Sequence, residues 1–267
     1  MEEVSVIIVN YNTTQLTRAC LQSLMLHTTG ISYEVIVVDN ASKEPANALK
    51  LEFPEIVFIQ STTNLGFAGG NNLGIEQAKG EYILLLNSDT LLKENSIKIS
   101  LDFLKKRQEV GVVSCRLIYP NGQHQSVAQR FPSIKYALIE LFRLQKLMSK
   151  EQAGKCLLGS FFDHQSTTQV DWVWGAFFMF KASHLSLLPN KKLDDTYFMY
   201  YEDMQWCLDF KKQGLKTYFL ADTEIIHLMG GSSANKEGLM KQNKTIFMHS
   251  NFSQIHLFLI NQLQKLL

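Results

Sequence analysis

Three groups of side chains in this sequence are of the types and at the positions that could do chemistry. The first is Asp89, which ends Asn87-Ser88-Asp89 directly after the apolar run Tyr82-Ile83-Leu84-Leu85-Leu86. A continuous apolar run of that length reads as a strand buried on both faces. A buried strand that stops in polar residues delivers a carboxylate to the C-terminal edge of the sheet, where open α/β sheets bind ligands. The second is the adjacent pair Glu202-Asp203, at the start of a helix carrying Trp206, Cys207 and Phe210. A helix N-terminus favours the ionised carboxylate, the form a general base needs. The third is His227, which follows Ile225-Ile226 and has the imidazole that suits a transition metal. Each group also has a plain structural use. Asn87, Ser88 or Asp89 could cap a helix from about Lys93, Glu202 or Asp203 could cap their own helix, and His227 could be a hydrogen-bonded strand-end residue.

Such groups work only if strands bring them to one edge. Residues 4–9 are a β-branched run ending in Asn10-Tyr11-Asn12, and Thr13 or Thr14 then caps a helix with Leu16, Cys20, Leu21 and Leu24 at helical spacing. Residues 33–38 form a second buried strand ending in Asp39-Asn40, a short helix stops before Pro54, and a third strand covers 56–59. The stretch 64–74, from Asn64 and Gly66-Phe67 to Gly74, is rich in glycine and opens a helix stopped by Gly80. Strands alternating with helices predict a mainly parallel sheet. In that geometry Asn10 and Asn12, Asp39, Asn64 to Asn71, and Asn87 to Asp89 share one edge. The glycine-rich stretch is neither Gly-x-Gly-x-x-Gly nor a P-loop, which disfavours a dinucleotide dehydrogenase and a P-loop nucleotidase. Its glycines still let backbone approach a ligand at a helix N-terminus.

Past residue 110 the pattern predicts a strand over 110–114, a turn at Pro120-Asn121-Gly122, and an apolar aromatic stretch over 170–180 with Gly175 midway. Strands follow over 215–220 and 225–227, and a helix from Lys236. Residues 133–150 read as one amphipathic helix, with Ala137, Leu141, Leu144 and Met148 on one face and Arg143, Lys146 and Lys150 opposite. That helix either packs on the core or touches a membrane surface.

The 26 basic and 25 acidic residues leave a net charge of +1, so no global field recruits nucleic acid. Cys20, Cys115, Cys156 and Cys207 are widely spaced, against a zinc site or a disulfide framework and in keeping with a reducing cytoplasm. The acidic start Met1-Glu2-Glu3 is unlike a signal peptide, and no apolar run reaches the ~18 residues of a membrane span. A cytoplasmic chain is expected, with peripheral contact at the inner face of a membrane as the further expectation for 133–150.

As an ordered set, several motifs resemble family 2 inverting glycosyltransferases. They are residues 4–12, Val37-Val38-Asp39-Asn40-Ala41-Ser42, Asn64-Leu65-Gly66-Phe67-Ala68-Gly69-Gly70-Asn71-Asn72, and Leu86-Asn87-Ser88-Asp89. Trp174-Gly175-Ala176, Glu202-Asp203 and His227-x-x-Gly230-x-Ser232 complete the set. The nearest resemblance is to the rhamnosyltransferase-like branch. It implies a GT-A fold, a nucleotide-sugar donor such as dTDP-L-rhamnose (alternatively UDP-galactofuranose or a UDP-hexose), a glycan or lipid-linked acceptor, and Mn²⁺ or Mg²⁺. It implies Asp203 as base beside Glu202, Asp89 and His227 as metal ligands, and Asp39 as hydrogen-bond acceptor for the pyrimidine base. Asn10, Asn12, Asn64, Gly66, Phe67, Gly70, Asn71 and Asn87 would belong to the donor site. The implied division is a domain over 1–235, whose 1–115 half binds nucleotide sugar and whose 116–235 half serves acceptor and catalysis, with a helical extension over 236–267. Relatives often continue Glu-Asp-x-Asp and carry an Arg six residues after the first Asp; here those positions are Gln205 and Asp209. A catalytically silent nucleotide-sugar-binding module is therefore the alternative. Gln-x-x-Arg-Trp, the mark of processive synthases, does not occur, so transfer of one sugar is expected.

Overall fold

The structure, a computed structural model, describes residues 2–44, 46–229 and 236–264. The first half alternates as its periodicity requires: β1 (Val4–Asn10), α1 (Thr14–His27), β2 (Tyr33–Asp39), α2 (Asn47–Glu52), β3 (Val57–Gln60), α3 (Gly66–Ile75) and β4 (Tyr82–Leu86). These four strands pair in parallel with β1 between β2 and β4. Val6, Ile7, Ile8, Val37 and Leu84 are fully buried, because helices cover both faces of a parallel sheet. Each such side chain stabilises the fold by about 1.5–3 kcal/mol relative to exposure. On α1 the buried residues are Thr17, Cys20, Leu21 and Leu24, the inward face of the expected spacing.

The second half contains β5 (Thr90–Leu92), α4 (Ser96–Lys105), β6 (Val110–Ile118), α5 (Ile134–Leu141), α6 (Lys150–Leu157), β7 (Thr168–Val170) and β8 (Phe177–Lys181). It closes with α7 (Glu202–Lys212), β9 (Lys216–His227), α8 (Lys236–Asn251) and α9 (Gln254–Gln264). Together the described strands make one nine-stranded sheet in the order β3-β2-β1-β4-β8-β6-β9-β5, with β7 also on β9. The antiparallel strand β8 lies beside β4 and hands the sheet over to β6 and β9, which are parallel to each other. Buried side chains of both halves, and Phe247, Met248, Leu257 and Ile260 of the C-terminal helices, belong to one continuous core.

Three expectations need correction. Residues 133–150 are not one helix. α5 ends at Leu141, Arg143 adopts a left-handed φ of 53°, and a 3₁₀ turn covers Leu144–Leu147. A new helix then starts at Lys150 because Ser149 and Gln152 form a reciprocal capping box. The break leaves Phe142 66% and Leu147 85% exposed beside Arg143 and Lys146. The strands expected over 215–220 and 225–227 are a single strand, β9, because β6 pairs along both parts of it across a register irregularity at Cys115/Arg116. Finally, the helix expected from about Lys93 begins at Ser96 as α4 and is capped by Asn95, while Thr90–Leu92 pairs antiparallel with β9, so Asn87, Ser88 and Asp89 do not cap it.

Candidate active site

The four loops that follow β1, β2, β3 and β4 meet as expected, yet their polar residues divide into two uses. Asn10 donates from Nδ2 to Asp39 Oδ1 (3.1 Å) and Ser42 Oγ (3.1 Å), while its Oδ1 accepts from Thr13 (3.1 Å) and Thr17 (2.8 Å). Asp39 is fully buried and also accepts from the Ser42 hydroxyl and from the backbone N–H of Ala46 at 3.2 Å. Asn12 receives the Lys43 N–H at 2.8 Å. These three side chains fasten the β1 and β2 loops to each other. Gly70 sits where a Cβ would lie 2.9 Å from Val9 Cγ1, and the buried Asn71 donates to Phe67 O within α3. None of Asn10, Asn12, Asp39, Gly70 and Asn71 is on the wall of the main cavity.

That cavity, about 530 Å³, lies in the size range of small-molecule ligand pockets. Asn64, Gly66, Phe67 and Asn87 line it, together with Asp89, Glu202, Asp203 and His227. Gly66 is required there by conformation and by space. Its φ is +73°, and a Cβ would lie 2.2 Å from Phe198 O, the carbonyl that also receives the Phe67 N–H at 2.8 Å. Asn40 lines the cavity and ties the β2 loop to this turn, accepting from Leu65 N (2.9 Å) and donating to Asn64 Oδ1 (3.0 Å) and Gly66 O (2.9 Å). Its place in the Asp-Asn strand end was the only sequence signal for it.

Asp89 and His227 are brought together by sheet pairing. Thr90 is the register partner of His227, and Leu228 N donates to Asp89 O at 2.9 Å. His227 Nε2 is then 3.4 Å from Asp89 Oδ1 and 3.3 Å from Asn87 Nδ2. Asn87 Oδ1 is buried and has no hydrogen-bond partner among the described residues. Among the described residues no group of three or more His, Cys, Asp and Glu could hold a metal. The available donor set is one carboxylate, one imidazole and the unpartnered Asn87 oxygen. Oxygen donors with one imidazole fit Mn²⁺, and fit Mg²⁺ less well. Gly230 and Ser232 of the histidine motif lie outside the described residues.

Glu202 and Asp203 open α7 after Tyr200 and Tyr201, both left-handed at φ 71° and 77°. Asp203 accepts from Gly175 N at 3.1 Å and Met204 N at 2.8 Å. Even so, burial raises its carboxyl to about 6, outweighing the two N–H donors. The helix terminus was expected to hold it ionised; desolvation is the larger effect. Glu202 is pushed well above the usual carboxylate range, by burial first and then by the neighbouring Asp203 charge. Its Oε2 is buried without a hydrogen-bond partner among the described residues. Gln205 and Asp209 face away from the cavity. Gln205 donates to Asp209 Oδ1 (2.8 Å) and accepts from Asn251 of α8 (2.8 Å). Trp172, Trp174 and Tyr11 add aromatic surface to the cavity wall; Tyr11 and Trp174 stand within the sequence motifs and Trp172 within the aromatic stretch 170–180.

The pattern of the family described as Glycosyl transferase family 2 matches residues 5–167. The chain is 23% identical over 203 residues to a rhamnosyltransferase of Escherichia coli K12, covering 73% of this chain and 72% of that protein. It is 32% identical over 130 residues to an O-antigen biosynthesis protein of Myxococcus xanthus, which is 47% of this chain but 10% of that much longer protein. Among solved structures, GalNAc-T7 with UDP, GalNAc and Mn²⁺ superposes with a TM-score of 0.66 at 14% identity, covering 92% of this chain and 48% of the other. With a sheet and loops of this arrangement and a family match over more than half its length, the chain belongs to glycosyl transferase family 2 and has the GT-A fold.

Proposed function

We propose that the chain is a metal-dependent inverting glycosyltransferase. It moves one sugar from a nucleotide-diphosphate donor, dTDP-L-rhamnose first and UDP-galactofuranose or a UDP-hexose as alternatives, to a hydroxyl of a surface-polysaccharide or lipid-linked glycan. The observation that carries this reading is that one cavity is lined both by Asp89 and His227 and by Glu202 and Asp203. Direct displacement needs a base beside the acceptor hydroxyl and charge stabilisation at the leaving diphosphate. Asp203, oriented by Gly175 N–H and Met204 N–H, takes the acceptor proton as its oxygen attacks the anomeric carbon from the face opposite the diphosphate. A divalent cation held by Asp89 and His227 would supply positive charge to the departing diphosphate. Support for the donor class comes from the rhamnosyltransferase relative and from the UDP and Mn²⁺ of the structural neighbour. The reading includes peripheral contact of the 142–147 surface with an anionic membrane, supported by its exposed apolar and basic residues.

The test is a panel of nucleotide sugars with Mn²⁺ or with chelator. One donor should be consumed with release of its nucleoside diphosphate, and only with metal. In Asp89→Ala both turnover and the metal-enhanced binding of that diphosphate should be lost. Binding of the diphosphate with no release from any donor would point to the silent binding module instead.

A further inference from the structure

We infer that Gln125 is the residue that positions His227, fixing its tautomer so that the Nε2 lone pair faces Asp89. Gln125 is 1% exposed and sits on the return segment after the Tyr119–Gly122 turn, where its N–H donates to Leu117 O of β6 at 2.9 Å. Because β6 runs parallel to β9 with Ile118 opposite Ile226, this segment lies beside the end of β9. The Gln125 side chain then makes two bonds to one residue. Its Nε2 donates to His227 O at 2.8 Å, and its Oε1 is 2.7 Å from His227 Nδ1.

The chemistry of those two contacts determines a proton position. A backbone carbonyl can only accept, so the amide nitrogen of Gln125 must face His227 O. The amide oxygen therefore faces Nδ1, and an oxygen can only accept, so Nδ1 carries the hydrogen. In a neutral imidazole the lone pair is then on Nε2. That atom accepts from the Asn87 amide N–H at 3.3 Å and lies 3.4 Å from Asp89 Oδ1. With the hydrogen held on Nδ1, Nε2 and the Asp89 carboxylate are both electron-pair donors close enough to bind one cation. A hydrogen bond from the remote ring nitrogen is how protein imidazoles are commonly aimed at a metal. The inference deepens the metal reading proposed above and rests on it.

Two measurements test it. In the metal-free wild type with ¹⁵N-labelled histidine, imidazole correlation spectra should show His227 protonated on Nδ1 and bare on Nε2, the signal being assigned by its loss in His227→Asn. The opposite tautomer overturns the inference whatever the variants do. Calorimetry then compares Gln125→Met, similar in volume but without an acceptor, with Gln125→Glu, which keeps one. The probe is Mn²⁺ with dTDP or UDP, whichever the wild type binds more tightly. Gln125→Met should weaken the Mn²⁺-dependent part of binding by about 10- to 100-fold, leave binding in chelator unchanged and lose the fixed tautomer, and Gln125→Glu should restore most of it. A folded Gln125→Met with wild-type Mn²⁺ dependence overturns the inference, and if it does not fold the wild-type tautomer decides. If the wild type shows no Mn²⁺ enhancement at all, the metal reading fails separately, and the tautomer spectrum still decides what Gln125 does.

Discussion

At the scale of single residues, the adjacent carboxylates make the sharpest prediction, because they share a cavity and differ in what they bind. Asp203 has two N–H donors and a carboxyl raised to about 6, so it is ionised only above that pH. Turnover should fall as pH drops through about 6. Asp203→Asn should lower kcat by about 10²- to 10⁴-fold while donor binding persists, the usual worth of a general base. Glu202→Gln should cost less, and a measured order of loss reversed between the two would exchange their roles. Stability gives an independent check on Glu202. Its folded-state carboxyl lies above the ordinary value, so the folded chain holds a proton that the unfolded chain releases as pH rises. The resulting loss of stability begins near the ordinary carboxylate range and is complete above the raised value. Thermal melts of Glu202→Gln should therefore exceed wild type by a few degrees at pH 7 to 8 and match it near pH 4. That Asp89, His227, Glu202 and Asp203 could meet at one cavity was legible in the sequence, because each stands where an apolar run stops or a helix starts. Gln125 was not, since nothing in the order His124-Gln125-Ser126 announces that β6 and β9 will lie side by side. Asn10 and Asp39, which the family resemblance implies as donor-site residues, also join two loops through their hydrogen bonds, a use that strand-end position alone does not announce.

At the scale of elements, the parallel half of the sheet was legible because period and strand ends agreed. The stretch 133–150 was misread because apolar spacing continues across Arg143, whereas the stop signal is the Ser149-x-x-Gln152 capping box further on. Residues 221–224, left between the two expected strands, stay extended. Thr223 and the Glu224 N–H bond to Glu94, at 2.7 and 2.8 Å, and the Glu224 carboxylate faces Arg116 at 3.2 Å. Only tertiary partners supply those contacts. The broken helix changes the membrane expectation as well, since Phe142 and Leu147 project among Arg143 and Lys146 instead of joining an inward face. Flotation with vesicles containing anionic lipid should show salt-sensitive binding that falls severalfold in Phe142→Ser/Leu147→Ser. Equal flotation of that variant, or none of wild type at low salt, would remove this surface from the reading.

At the scale of the whole molecule, the C-terminal helices are tied to the turn that precedes Glu202 and Asp203. Asn243 of α8 is buried and donates to both Met199 O and Tyr200 O at 2.9 Å, at the start of the left-handed Tyr200-Tyr201 pair that introduces Glu202. Asn243→Ala should leave those carbonyls unpaired, a cost of about 1–3 kcal/mol, or several degrees in Tm for a chain of this size. Its kcat should fall while Mn²⁺-dependent nucleoside diphosphate binding at Asp89 and His227 survives, and parallel loss of both would mean that α8 supports the fold without favouring either part of the site. The pairing that unites Asn87 with His227 spans 140 residues of chain, and it has a consequence for biosynthesis. A ribosome adding about 5–20 residues per second makes β4 on the order of ten seconds before the end of β9. During that interval β1 already covers one side of β4, but its other side, later occupied by β8, is a bare edge of unpaired backbone N–H and C=O groups on an apolar strand, of the kind that recruits chaperones or neighbouring nascent chains.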